Sequence, residues 1–249
     1  MIEVSDDGAV RTLRMAHGKA NALDVELCEA LTNALREAEA SSARAIVLTG
    51  TGSIFGAGVD LVRLSSSREY VARFLPALDE VLWTLYFAKK PVVAAANGHA
   101  IAGGMVLLCA CDHRILARGK AQVGIAELRV GVPFPILALE IVRRAVAPER
   151  FQEAVYRARN YSADEALARG FVDELCEPAE LAARAKSVAD ELAAIPARTF
   201  ALTKERLRAP AREFLEARMR ASQAETIAAW CEPETLAAVR AFVERTLKR

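Results

Sequence analysis

Two stretches of this chain close a short apolar strand on glycine and then open a helix, which limits the folds it can adopt more than any other feature of its 249 residues. The first runs from Ile46-Val47-Leu48-Thr49-Gly50 into Phe55-Gly56-Ala57-Gly58-Val59-Asp60. The second runs from Val92-Val93-Ala94-Ala95-Ala96 through Asn97-Gly98 to Gly103-Gly104. A strand that ends on glycines and enters a helix leaves unpaired N–H groups directed at one spot, which suits an oxygen gaining negative charge. Two such turns can converge on one oxyanion. Taken singly, each is better explained by tight turning and close helix packing. Neither carries the lysine of a GxxxxGK[ST] phosphate loop, and GxGxxG is absent.

The patterning around these turns is α/β. Strands are expected at 10–15, 44–49, 91–96, 112–117, near 122–124 and at 171–175, separated by helices at 24–40, 68–87 and from Gly103. Asp24 stands before a 3.6-period run (Leu27, Leu31, Ala34, Leu35) and serves as an N-cap. Val132-Pro133-Phe134-Pro135 opens a helix reaching Val146, proline being preorganised for a first turn. Ser162 and Glu165 have capping-box spacing. From Pro178 onward the pattern is nearly all helix, at 180–194, 199–208, 213–225 and 233–247. The apolar stripes of these segments exceed what a lone surface helix needs and predict a subunit contact as well as a core face. No repeating period is evident. The chain divides into a core at 1–195 and a helical region for oligomerisation at 196–249.

Lys plus Arg (33) nearly balance Asp plus Glu (32), so no net field draws the chain to nucleic acid or an anionic membrane. The first residues are acidic where a secretory signal is basic, and no apolar stretch reaches spanning length, so a cytoplasmic protein is expected. Five scattered cysteines without CxxC spacing read as reduced core residues. His17, His99 and His113 have no HExxH spacing, and no metal site is expected. A GxSxG elbow is missing, which argues against a serine hydrolase.

In order along the chain, Asn21-Ala22-Leu23, Phe55 through Asp60, Asn97-Gly98 with Gly103-Gly104, Cys111-Asp112, Ala121-Gln122, Glu127 with Gly131, Ala166 through Val172 and Ala241 through Arg245 resemble the crotonase (enoyl-CoA hydratase/isomerase) superfamily. The resemblance implies a spiral of repeated β-β-α turns with C-terminal helices that assemble homotrimers or hexamers. It implies an acyl-CoA thioester substrate and no cofactor beyond the coenzyme A that the substrate carries. It puts an oxyanion hole at the backbone N–H groups of Val59 and Gly103, each such donor being worth about 3 to 4 kcal/mol in the transition state. By the same analogy Ala57, Asp60, Leu61 and Gly104 are substrate-binding, the 57–61 loop lying along CoA, and Lys204 offers a cation to its phosphates, against the bland reading of a solvated helix charge.

Hydratases of the family hold water between two glutamates. Here the first position, three residues beyond Gly103, is Val106, and only the second is kept, as Glu127. One carboxylate suffices to carry a proton between carbons 2 and 4 of a 3-enoyl thioester, whereas syn addition of water wants a second group. Isomerisation therefore ranks above hydration, with a catalytically silent acyl-CoA binding protein as a further reading. Without the resemblance Glu127 would read as a first-turn helix residue or a partner of Arg129. Its apolar surroundings are expected to raise its pKa toward that of a useful base. The bulky residues of 132–137 would narrow or reshape an acyl pocket. Glu140 reads as a pair with Arg143 or Arg144 before it reads as a substitute acid, and His99 as a turn residue before it reads as a pocket residue.

Overall fold

A computed structural model of the chain describes residues 1–246. Strands β1 (Ile2–Asp7) and β2 (Val10–Met15) form an antiparallel hairpin whose turn uses Gly8 at φ 62°. Helix α1 (Val25–Ala40) starts where Asp24 caps it, its carboxylate accepting the Leu27 N–H at 2.8 Å. Three passes of similar design follow. The first is β3 (Ala45–Thr49), β4 (Ile54–Gly56), α2 (Leu61–Leu64) and α3 (Arg68–Tyr86). The second is β5 (Val92–Ala96), β6 (His99–Ile101) and α4 (Gly103–Ala110). The third is β7 (His113–Ala117), β8 (Val123–Gly124), α5 (Glu127–Val130) and α6 (Ile136–Ala145). Then come α7 (Pro148–Arg157), β9 (Asn160–Tyr161), α8 (Ala163–Ala168), β10 (Glu174–Cys176), α9 (Leu181–Ala194), α10 (Ala197–Trp230) and α11 (Pro233–Thr246).

Each pass gives its first strand to one sheet and its second to another. The larger sheet has the order β1-β2-β3-β5-β7-β10 and is parallel beyond its first hairpin, while the smaller has the order β4-β6-β8-β9 with only β8 and β9 antiparallel. This is the β-β-α spiral. Of the interior strands of the larger sheet, β5 is apolar throughout and β3 nearly so, because both faces are covered. Val47, Val93, Ala95 and Ile115 pack under α9, whereas Ile46, Leu48, Val92 and Ala94 face the main core with α1 and α3. All of β5 is buried. The strands thus hold the turns that follow them in fixed relation.

Most expected elements are present within a residue or two of their bounds, and the Ser162–Glu165 capping box is complete. Segments 199–208 and 213–225 are one helix that continues through Pro210. A proline inside a helix costs roughly 3 kcal/mol. Here the helix is anchored on both sides, by Lys204 and Arg208 bonded to Asp112 before the proline and by the fully buried Ala211 and Leu215 after it. The strand expected at 171–175 is shorter and later. Phe171 leaves the sheet to pack edge-on against Tyr161, with ring centroids 5.3 Å apart. Leu247, expected to end the last helix, lies outside the described residues. Among the described residues no helix is long and apolar enough to cross a membrane.

Candidate active site

The loop between β4 and α2 is stitched to the segment before α1. Ala57 N–H donates to Ala20 O (3.1 Å), Leu23 N–H to Gly58 O (2.7 Å) and Asp60 N–H to Leu23 O (2.9 Å). The Val59 N–H lies between the last two bonds and takes part in neither. Asn21, with φ 45°, supports the same loop by bonding the Ile54 and Phe55 carbonyls through its side-chain amide. Gly58, at φ 89°, brings the loop against the start of α4, where a Cβ on it would meet Ala102 Cβ at 2.8 Å and Gly103 N at 3.5 Å. The two glycine-bearing turns are therefore in contact. Gly103 is the first residue of α4, so its N–H has no partner within the helix. Ala102 holds φ 51° and ψ −121°, a region an alanine rarely enters, and this strained peptide aims the helix start.

Glu127 opens α5 directly after β8. Its side chain is buried, and one carboxylate oxygen accepts the Ala126 N–H at 2.8 Å. Burial pushes its carboxyl up to about 7, against the smaller opposing pull of backbone hydrogen bonds. Among the described residues it makes no salt bridge, so Arg129 does not neutralise it. The Gly131 turn, at φ 95°, returns the backbone so that the N–H groups of Gly131 and Val132 both donate to the Glu127 carbonyl. The residue is thereby held at both ends.

Glu127, Val59 and Gly103 line one cavity of about 680 Å³ counted to its open mouth, together with Ala57 and Leu61. Val106 lines it too, so the position expected of a second glutamate presents a hydrocarbon surface. The cleft thus brings a buried carboxylate together with Val59 and Gly103 of the two contacting turns, groups that suit taking a proton from a carbon acid and holding its carbonyl oxygen.

Two of the expected binding residues serve the scaffold instead of lining the cavity. Asp60 caps α2, accepting the Val62 and Arg63 N–H groups at 3.1 and 3.0 Å. Gly104 packs against the Gly56 backbone, with no room for a side chain. Lys204 is not a solvated charge. It is buried, with Nζ 2.6 Å from an Asp112 carboxylate oxygen and 3.0 Å from the Lys90 carbonyl. Glu140 pairs with Arg143 and Arg144, and His99 accepts the Gln122 N–H at 3.1 Å away from the cavity.

Residues remote in sequence complete the wall. Leu78 and Leu82 reach it from α3, Val132 and Phe134 from the loop after α5, and Trp230 and Phe242 from the last two helices. Trp230 and the leucines carried no signal beyond apolar periodicity, and Ala102 carried none, since alanine does not mark a positive φ. Among the described residues no group of three or more His, Cys, Asp or Glu is placed to hold a metal ion.

Comparison with known proteins places this geometry among acyl-CoA enzymes. The family model described as enoyl-CoA hydratase/isomerase matches residues 6–248. A short-chain-enoyl-CoA hydratase of Clostridium acetobutylicum is 32% identical over 190 residues, 75% of this chain and 72% of that protein. The mitochondrial enoyl-CoA delta isomerase 1 of Mus musculus is 27% identical over 84% of this chain and 73% of its own length. Among solved structures, human mitochondrial delta3-delta2-enoyl-CoA isomerase matches with a TM-score of 0.95 at 25% identity, covering 99% of this chain and 98% of that one. An enoyl-CoA hydratase from Mycobacterium marinum matches with a TM-score of 0.83 at 32% identity, covering 90% and 99%.

Proposed function

Since the chain belongs to the enoyl-CoA hydratase/isomerase family, we propose that it converts a 3-enoyl-CoA thioester to its 2-enoyl isomer, with Glu127 as the only acid/base. The observation that carries this reading is the cavity lining, in which Glu127 is the one carboxylate among the described residues and Val106 occupies the other expected position. Glu127 removes a proton from carbon 2, and the electron pair delocalises into a dienolate whose charge rests on the thioester oxygen. The Val59 and Gly103 N–H groups hold that oxygen. The same carboxyl then returns the proton to carbon 4, leaving the double bond between carbons 2 and 3 in conjugation with the carbonyl. No atom is gained or lost. A pKa of about 7 suits a group that must both take and give a proton near neutrality.

Hydration is the second reading, favoured by relatives named as hydratases. It requires one group to orient water and another to supply the proton, and the Val106 side supplies neither. Incubation with 2-enoyl and 3-enoyl thioesters separates the two, since isomerisation creates the absorbance of the conjugated thioester and hydration removes it. An unchanged spectrum with both substrates overturns the isomerase assignment and its rival together. The 57–61 loop is the proposed bed for coenzyme A, and the C-terminal helices are the proposed homotrimer or hexamer contact, supported by the exposed Leu202, Leu207 and Phe214 on α10.

A further inference from the structure

Three aromatic residues from separate parts of the chain line the cavity: Phe134 from the loop after α5, Trp230 from the last turn of α10 and Phe242 from α11. Trp230 is buried, and its indole N–H donates to the Pro133 carbonyl at 2.8 Å. That bond clasps the end of α10 to the loop carrying Phe134. Prolines on both sides of Phe134 fix the loop's φ angles and remove two backbone donors that would otherwise seek partners. Displacing the indole would leave its N–H and the Pro133 carbonyl unpaired, so the wall is set before a ligand arrives. Apart from Glu127, the only polar side-chain atom on the lining residues among the described ones is the indole nitrogen, which the clasp already engages.

We propose that this clasped wall restricts the protein to acyl-CoA thioesters with an unsubstituted hydrocarbon chain, and that Trp230 sets the upper limit of its length. The inference rests on the reading of the cavity as an acyl site. A hydroxyl or carboxylate on the chain would be buried with nothing to bond, because Glu127 is reserved for the carbon next to the thioester. An added methylene gains affinity only while apolar wall remains to receive it, and the buried, clasped indole is a part of that wall that does not yield.

The test measures binding of saturated acyl-CoA thioesters by calorimetry, so it does not depend on any turnover. In the wild type, affinity should rise by about fourfold per methylene until the chain meets the indole, then level off. In Trp230→Ala the break should move to a chain several methylenes longer. In Trp230→Phe, which keeps part of the bulk but loses the clasp, it should move by less than in Trp230→Ala. Should Trp230→Ala not fold, Phe134→Ala removes a neighbouring part of the same wall and should also lengthen the accepted chain. Adipoyl-CoA should bind the wild type at least about tenfold more weakly than hexanoyl-CoA, a comparison that needs no variant. A break unmoved in the folded Ala variants overturns the role of the wall, and equal binding of adipoyl and hexanoyl thioesters overturns the hydrocarbon restriction. Binding that follows the expected pattern in a protein that does not isomerise sustains this inference while refuting the proposed reaction. If no acyl-CoA binds, both fall.

Discussion

Burial acts on Glu127 twice, raising its affinity for a proton and taxing the fold whenever that proton is absent. Its carboxyl stands at about 7 in the folded chain against an ordinary 4.5. The folded state is therefore favoured by this group below about pH 4.5, and that contribution is lost as pH rises through about 7. Glu127→Gln removes the titration, so chemical denaturation should find the variant more stable than wild type by about 3 kcal/mol above neutrality and little different near pH 4.5. Activity should move the other way. Wild-type kcat/KM should climb with pH through about 7 as the base ionises, and Glu127→Gln should lose a factor of about 10² to 10⁴ together with that limb of the profile. A variant that kept its activity would end the acid/base assignment. It was the resemblance to the family that pointed to the glutamate and the two donor amides, since without it Glu127 reads as a first-turn helix residue and each glycine turn as tight packing. The positive φ of Ala102 was not legible, because alanine carries no mark of it and the contact lies between loops distant in sequence.

Helix α4 depends on two adjacent glycines that do different work. A Cβ on Gly104 would lie 2.0 Å from the Gly56 carbonyl oxygen, and neither backbone can yield without opening the loop that carries Val59. A Cβ on Gly103 would meet the tip of the Leu23 side chain at 2.7 Å, which can rotate aside. Gly104→Ala should therefore cost more than the roughly 1 to 3 kcal/mol usual for overpacking and lower activity by separating the two amides, while Gly103→Ala should cost less. Thermal unfolding and turnover of the two variants, measured side by side, check the contrast, and equal effects would contradict it. The long α10 teaches the same lesson about elements. It was expected as two segments, 199–208 and 213–225, but Asp112 just before β7 takes both Lys204 and Arg208 and holds the turns before Pro210 in place. Asp112→Ala would leave two largely buried cations unpaired, and an equilibrium denaturation curve should show a loss of about 3 to 5 kcal/mol. Such a pair, 92 residues apart in sequence, has no signature in local periodicity.

At the scale of the molecule, the spiral repeats in space but not in sequence. Each pass of two strands and a helix meets different neighbours, so its side chains differ while its backbone path recurs, and no sequence period betrays it. What the sequence did show was an excess of apolar surface in the C-terminal helices. Much of it packs on the core and closes the cavity through Trp230 and Phe242, which join Glu127 from the same chain. The remainder is exposed. Leu207 is 73% accessible and shares a face of α10 with Phe214, seven residues on and 37% accessible. Single exposed leucines need no explanation, but two on one face of a 34-residue helix with only four buried positions suit a contact between copies. Sedimentation of the wild type should give a trimer or hexamer, and Leu207→Asp should shift it toward monomer without loss of helical circular dichroism. Because Glu127, the Val59 and Gly103 turns and the aromatic wall all belong to one chain, the dissociated variant should still bind acyl-CoA. A wild type that sediments as a monomer would remove the assembly role from α10, leaving its exposed stripe without a partner, whereas a monomeric variant unable to bind would mean that a second copy supports the cleft.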